Sequence, residues 1–398
     1  MAVMIGIDPH KGSHTAVAVG AAEEPLGKLR VRACPDQAEK LVGWAQAWPE
    51  RTWAVEGARG LGGLLAQQLV AAGERVLDVQ PKLAARVRLL HTGNTGKNDP
   101  NDARSVAVAA LRSTAGQEVI ADGHARVLKV WAKRHRDLSR ARNQAVCRLH
   151  AVLCELIPGG VPEEITAGQA ARLLGQISPS GPVAQARCEL AAELLADIRH
   201  HDARRREART KLAAAVKASG TSLTEVFGVG PVIAATVIGD VVIVARFPTR
   251  DHFAACNGTA PVEVSSGERK IYRLSLRGNR RLNHAIHMAA ITQIRHKHSD
   301  GRAYYERKIA EGKTHKEALR CLKRRISDAI YARLRADARL VGPGGQPGNH
   351  SVSRAAGSHP ARQLFGQATP GLQPTLRATA APTPARPGPP ANKTHRAP

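Results

Sequence analysis

The opening of the chain is what most limits how it can fold. Residues 3–8 form a short apolar run ending in Asp8. A polar turn follows at 9–13, residues 15–19 alternate as a second strand, and residues 26–32 read as a third. Such a succession is an antiparallel meander. A helix over 36–48, a strand over 52–56 ending in Glu56, a helix over 61–72 and a strand over 75–79 come next. Hairpin strands followed by alternating helix and strand predict an α/β domain, placed at residues 1–118.

Beyond it the pattern turns helical and basic. Trp131, Leu138, Ala145 and Val152 recur every seven residues, with Leu149 and Leu156 on the adjoining face of a helix over 124–157. A second long helix over 183–217 carries Leu190, Leu194, Ile198, Ala208 and Leu212. Two long helices around a Pro/Gly-flanked insert predict a helical hairpin or coiled coil over 119–219. Residues 220–338 read as a mostly α domain. After Asp337 the chain has no acidic residue, and 339–398 is a basic Pro/Gly-rich tail of disordered composition.

The strand order of the first domain is that of the ribonuclease-H fold, in which the first and fourth strands are neighbours. Asp8 and Glu56 then stand side by side at strand ends. Asp99 and Asp102, three apart at a helix start in KNDPNDARSVAVAAL, project to one side of that helix. Either of these two alone would be an ordinary helix N-cap or first-turn acid. Gathered together, four acids repel unless divalent cations neutralise them. Mg²⁺ or Mn²⁺ bound there would suit phosphodiester chemistry.

The 398 residues hold 59 Lys and Arg against 33 Asp and Glu, a net charge of +26, which calls for a polyanion partner. No apolar run approaches the roughly eighteen residues of a membrane span, so nucleic acid is the expected polyanion rather than membrane. The start, MAVMIGIDPHKGSH, lacks a basic segment followed by an apolar one, so no signal peptide and a cytoplasmic, nucleoid-associated setting are expected. Six scattered cysteines show no zinc-like spacing. Cys147 and Cys154, seven apart on one helix, suggest a packing face. With 3 % aromatic residues, affinity must rest on phosphate contacts more than on base stacking.

Two further stretches carry chemistry. In LTEVFGVGPVIAATVI, residues 223–238, the turn at Gly228 and Gly230 resembles a helix-hairpin-helix, whose amides can hold a phosphate, although a plain tight turn would look the same. Residues 257–290 set Ser265 and Ser266 before Gly267 in a loop, among Arg269, Lys270, Arg273, Arg277, Arg280 and Arg281. Chemistry alone reads the serines as a flexible turn on phosphate, since a serine needs activation to attack.

In order along the chain, GIDPHKGSHTAVAV, AVEGARGLGGLLAQQL, KNDPNDARSVA, EVFGVGPVIAA, RFPTRDHFAACNGTAPVEVSSG and SLRGNRRLNHAIHMAA resemble the transposases of the insertion-sequence 110 family, the DEDD transposases. The set covers most of residues 3–295. It departs from the family at Cys256-Asn257, where a small or aromatic residue is expected before Gly258. The resemblance implies a RuvC-like domain with Asp8, Glu56, Asp99 and Asp102 as its metal-binding tetrad. It also implies a transposase domain in which Ser266, or else Ser265, attacks DNA and becomes linked to the phosphate. Double-stranded DNA, an element-encoded guide RNA and assembly as a dimer or tetramer are the partners it implies. The rivals are a hydrolytic junction resolvase using the tetrad alone and a non-catalytic nucleic-acid scaffold.

Overall fold

The computed structural model describes residues 2–90, 98–113, 117–266, 269–275 and 278–341, with the backbone alone at 265, 266, 269–272, 274 and 341. Arg277 and residues 342–398, which include most of the expected tail, lie outside the described residues.

Strands β1 (Val3–Pro9), β2 (Ser13–Val19) and β3 (Pro25–Arg32) form the expected meander. Helix α1 (Gln37–Trp44) leads to β4 (Arg51–Glu56), then α2 (Gly63–Ala71), β5 (Val76–Val79), α3 (Pro81–Leu90), α4 (Asp99–Arg112) and the two-residue β6 (Gln117–Glu118). The sheet order is β3-β2-β1-β4-β5-β6. β1, β2 and β3 pair antiparallel, β4 lies parallel to β1, β5 parallel to β4, and β6 antiparallel to β5. The sequence reading did not include α3 or β6. Only Ala84 of α3 is buried, so its apolar stripe is faint, and two residues make no alternating pattern.

Both faces of the sheet are covered, which is why β1 is buried along its whole length. On one face Ile5, Ile7, Trp53, Val55 and Val76 pack with Leu41, Leu65 and Leu69 of α1 and α2. On the other, Met4, Ala54, Leu77 and Val79 meet Ala103, Val106, Ala107 and Ala110 of α4. The small side chains of α4 let its backbone lie directly on β1. A Cβ on Gly6 would stand 2.1 Å from the Ala103 carbonyl oxygen and 2.5 Å from the Ala107 nitrogen.

Helix α5 (His124–Leu156) runs antiparallel to α7 (Pro182–Ala218), with α6 (Ala167–Gly175) between them in sequence. At one end Leu128 and Ala132 of α5 join Leu212 and Val216 of α7 in the C-terminal core. At the other, Ala145, Leu149 and Leu153 pack with Leu194, Leu195, Ile198 and Ala170. Cys147 and Cys154 are exposed, which corrects the expected packing face: Leu149 and Leu153 define it, on a different side of the helix from the cysteines.

The C-terminal region comprises α8 (Pro231–Val241), α9 (Arg250–Asn257), β7 (Pro261–Ser266), β8 (Arg269–Leu274), α10 (Arg280–Arg295), α11 (Asp300–Ala310) and α12 (His315–Val341). Ala318, Leu322, Ile326, Ile330 and Leu334 of α12 recur at helical spacing and sit in the same core as Leu223, Phe253 and Ile286. The stretch expected as a serine-bearing loop is instead a β-hairpin, β7 paired antiparallel to β8, with Ser265 opposite Lys270 and Ser266 opposite Arg269. Alternation in PVEVSS and RKIYRL carries that hairpin, and the density of charge masks it. Asn257, the departure noted before Gly258, is fully buried and donates to Ser327 Oγ at 2.8 Å.

Candidate active site

Parallel pairing of β1 and β4 brings Asp8 and Glu56 to the same end of neighbouring strands, on the face that α4 covers. Helix α4 starts there. Asn98 caps it by accepting from the Asn101 amide at 2.9 Å, and Pro100 sits in the first turn, where its missing N–H costs nothing. Asp99 and Asp102 therefore stand in the first turn, where the helix dipole favours negative charge.

Asp8 is 6 % exposed. Burial raises the pKa of both Asp8 and Glu56, and the neighbouring Asp102 charge pushes each further up. The two carboxyls hydrogen-bond each other, a contact that raises the pKa of Glu56 and lowers that of Asp8. His10 Nε2 lies 3.1 Å from Asp8 Oδ2 and 3.5 Å from Asp99 Oδ1. Arg30 stands 3.7 Å from Asp99 Oδ2, and Arg88 of α3 pairs with Asp102. Repulsion among the acids is thus offset in part by His10, Arg30 and Arg88.

The donor set suits a divalent cation. Asp8, His10 and Asp99 each offer a ligand atom, all within 4.8 Å of one another. The carboxylate oxygens are hard donors, and two of the acids resist ionisation where they are. His10 was missed in the sequence. Its signal is the spacing in Asp8-Pro9-His10, where residues two apart on an extended segment share a face. Arg30 and Arg88 come from β3 and α3 and leave no local signal.

The other expected groups are spread over the C-terminal region. Gly228 has φ +82°, and a Cβ on it would come 2.8 Å from the Ala289 carbonyl oxygen, so close packing against α10 alone requires glycine. Only a four-residue 3₁₀ turn, Ser222–Glu225, precedes this turn, and Gly230 is the N-cap of α8. Arg273 and Arg280 are exposed, and Arg281 Nε donates to Asp240 Oδ2 at 2.8 Å. Arg277 and the side chains of Ser265, Ser266, Arg269 and Lys270 lie outside the described residues.

Comparison with known proteins covers both regions. Residues 5–158 match the DEDD transposase family of IS110, and residues 220–306 match the family described as transposase IS116/IS110/IS902. The 44.8 kDa protein of insertion element IS116 from Streptomyces clavuligerus is 29 % identical, over 86 % of this chain and 96 % of its own. The 42 kDa protein of IS900 from Mycobacterium paratuberculosis is 27 % identical, over 84 % and 96 %. Thermus thermophilus RuvC bound to a Holliday junction matches 30 % of this chain and 100 % of its own, at 16 % identity and a TM-score of 0.24. The class these matches define is a transposase, an enzyme that cleaves and rejoins DNA. The chain belongs to the IS110 family. Among the described residues no helix is long and apolar enough to cross a membrane.

Proposed function

We propose that this transposase recombines DNA through two cooperating groups: a metal-binding tetrad of Asp8, Glu56, Asp99 and Asp102, and a serine nucleophile, Ser266. The observation that carries the reading is the shared strand end of Asp8 and Glu56 beneath the first turn of α4. Mg²⁺ or Mn²⁺ held by these acids would polarise the scissile phosphate and stabilise the departing oxygen. The carboxylates fix the position of that charge, while His10, Arg30 and Arg88 hold the carboxylates in place. Ser266 Oγ loses its proton and bonds to phosphorus as the strand's own ester oxygen leaves as a hydroxyl. Attack by a hydroxyl on the serine ester reverses the step and rejoins DNA, so phosphodiester energy is retained and no ATP is required.

In this reading residues 1–118 hold the metal, 119–219 form a hairpin or coiled coil for assembly as a dimer or tetramer, and 220–338 carry the nucleophile. The basic tail, 339–398, adds diffuse attraction. Gly228, Gly230, Arg269, Lys270, Arg273, Arg277, Arg280 and Arg281 bear on phosphates, and an element-encoded RNA selects the sites. The test is a trapped intermediate: labelled element-end DNA is incubated with protein and Mg²⁺, denatured and digested, and the DNA-bearing residue is identified. Label on Ser266 is expected, and label on Ser265 moves the assignment by one residue. Cleaved ends without protein-bound label would replace the serine mechanism by hydrolysis at the carboxylates. Binding without any cleavage in either metal would leave only a scaffold.

A further inference from the structure

A cleft of about 610 Å³ lies away from the carboxylates, between the sheet and the C-terminal helices. Its sheet-side wall includes Asp78 of β5, whose register partner is Val55. Val55 packs on the α1/α2 face, whereas Glu56 and its partner Val79 belong to the α4 face. Alternation along a strand therefore puts the cleft and the acids on opposite faces of one sheet.

The lining is strongly basic: Arg59, Lys129, Lys133, Arg136, Arg246 and Arg281 come from four separate parts of the chain. Among the described residues the only acids lining it are Asp78 and Asp240. Asp78 pairs with Arg59 at 3.2 Å and Asp240 with Arg281 at 2.8 Å, and Lys133 also reaches Asp137 at 2.8 Å. Arg246 donates to Gln117 Oε1 and to the Asp240 carbonyl, both at 3.2 Å, while its Nε is buried with no partner among the described residues. Burial lowers the pKa of Lys129 and of Arg246, the mark of cations crowded into a cleft. Asn279 also lines the cleft and caps α10, so the positive end of a 16-residue helix dipole opens there.

Six cations against two acids select an anion, and the wall identifies its kind. Among the described residues lining the cleft there is no aromatic ring, and its apolar part is alanine with Cys256. A nucleotide cofactor would need a surface for its base. A backbone of successive phosphates needs only cations and amides. We propose that this cleft seats the phosphodiester backbone of a nucleic-acid strand, through Lys129, Lys133, Arg136 and Arg246. The site is separate from the carboxylate chemistry and stands without it.

The test uses the full chain in chelator, so that metal-dependent steps play no part. Lys133 and Arg136 are replaced together by glutamine, a good helix former that leaves α5 intact. Affinity is measured against salt for a random-sequence DNA duplex and for a random-sequence single-stranded RNA. Loss of two phosphate contacts should reduce the log–log salt slope by about 1.8 for duplex DNA, or about 1.4 for single-stranded RNA. The arm that shows the loss identifies the strand. Lys297→Gln with Lys313→Gln removes the same charge from exposed positions elsewhere and should leave the slope unchanged. A slope unaltered in both arms, or an equal loss in the control pair, overturns the proposal. So does stoichiometric binding of inorganic phosphate that leaves both affinities untouched, which marks a free-anion site.

Discussion

Asp8 is buried, is hydrogen-bonded to Glu56, and faces the Asp102 charge. Removing its charge should therefore spare the fold. Asp8→Asn is expected to melt no lower than wild type in chelator, to lose the rise in melting temperature that Mn²⁺ gives, and to cut more than about 100-fold more slowly, beyond what outer-shell changes cause. Wild-type cleavage by this variant would remove Asp8 from the site. His10 bridges Asp8 and Asp99, so His10→Ala should weaken Mn²⁺ binding by about 10- to 100-fold in a titration; unchanged affinity would make His10 a bystander. At this scale the sequence was readable where acids end strands or start helices, since position along an element fixes direction. Arg30 and Arg88 were unreadable because only the tertiary fold brings β3 and α3 against α4.

At the scale of elements, the union of β1 and α4 sets how firmly the acids are held together. No side chain cushions that contact at Gly6, so Gly6→Ala must separate two backbones. The expected loss is about 3 kcal/mol or more, measured by denaturant unfolding. The loss should come with impaired cleavage, because Asp99 and Asp102 move with α4. The tip of the α5/α7 hairpin depends on Ile198, 2 % exposed among Leu149, Leu153 and Ala170. Ile198→Ala should cost about 2–5 kcal/mol and raise hydrogen exchange in α6 and the tip, leaving the C-terminal core protected. Exchange rising equally in α12 would show the two clusters to be one cooperative unit. The meander and the long helices were legible because apolar periodicity ran undiluted through them. The β7–β8 hairpin was not, since its alternation is overlaid by arginines and lysines, and the register that pairs Ser266 with Arg269 appears only once the strands fold back.

For the whole molecule, a surplus of 26 positive charges sets the character of binding. If six to ten phosphates are neutralised, affinity for DNA should fall by about 10³ to 10⁵ between 50 and 200 mM salt. Deleting 342–398 should weaken that affinity while leaving the cleavage rate at saturating DNA unchanged. A truncated chain that binds normally but cannot cut would place chemistry in the tail. The hairpin has a mechanical consequence of its own. Leu128 is rooted in the C-terminal core while Leu153 belongs to the tip, a distance along α5 of roughly 37 Å at helical rise. On an arm of that length, a tilt of about 5° at the root would sweep the tip through roughly 3 Å, about one hydrogen-bond length. Slight repacking around Leu128 and Leu212 would therefore be magnified at the far end, and a partner gripping the tip would hold a long handle on the helices beside the cleft.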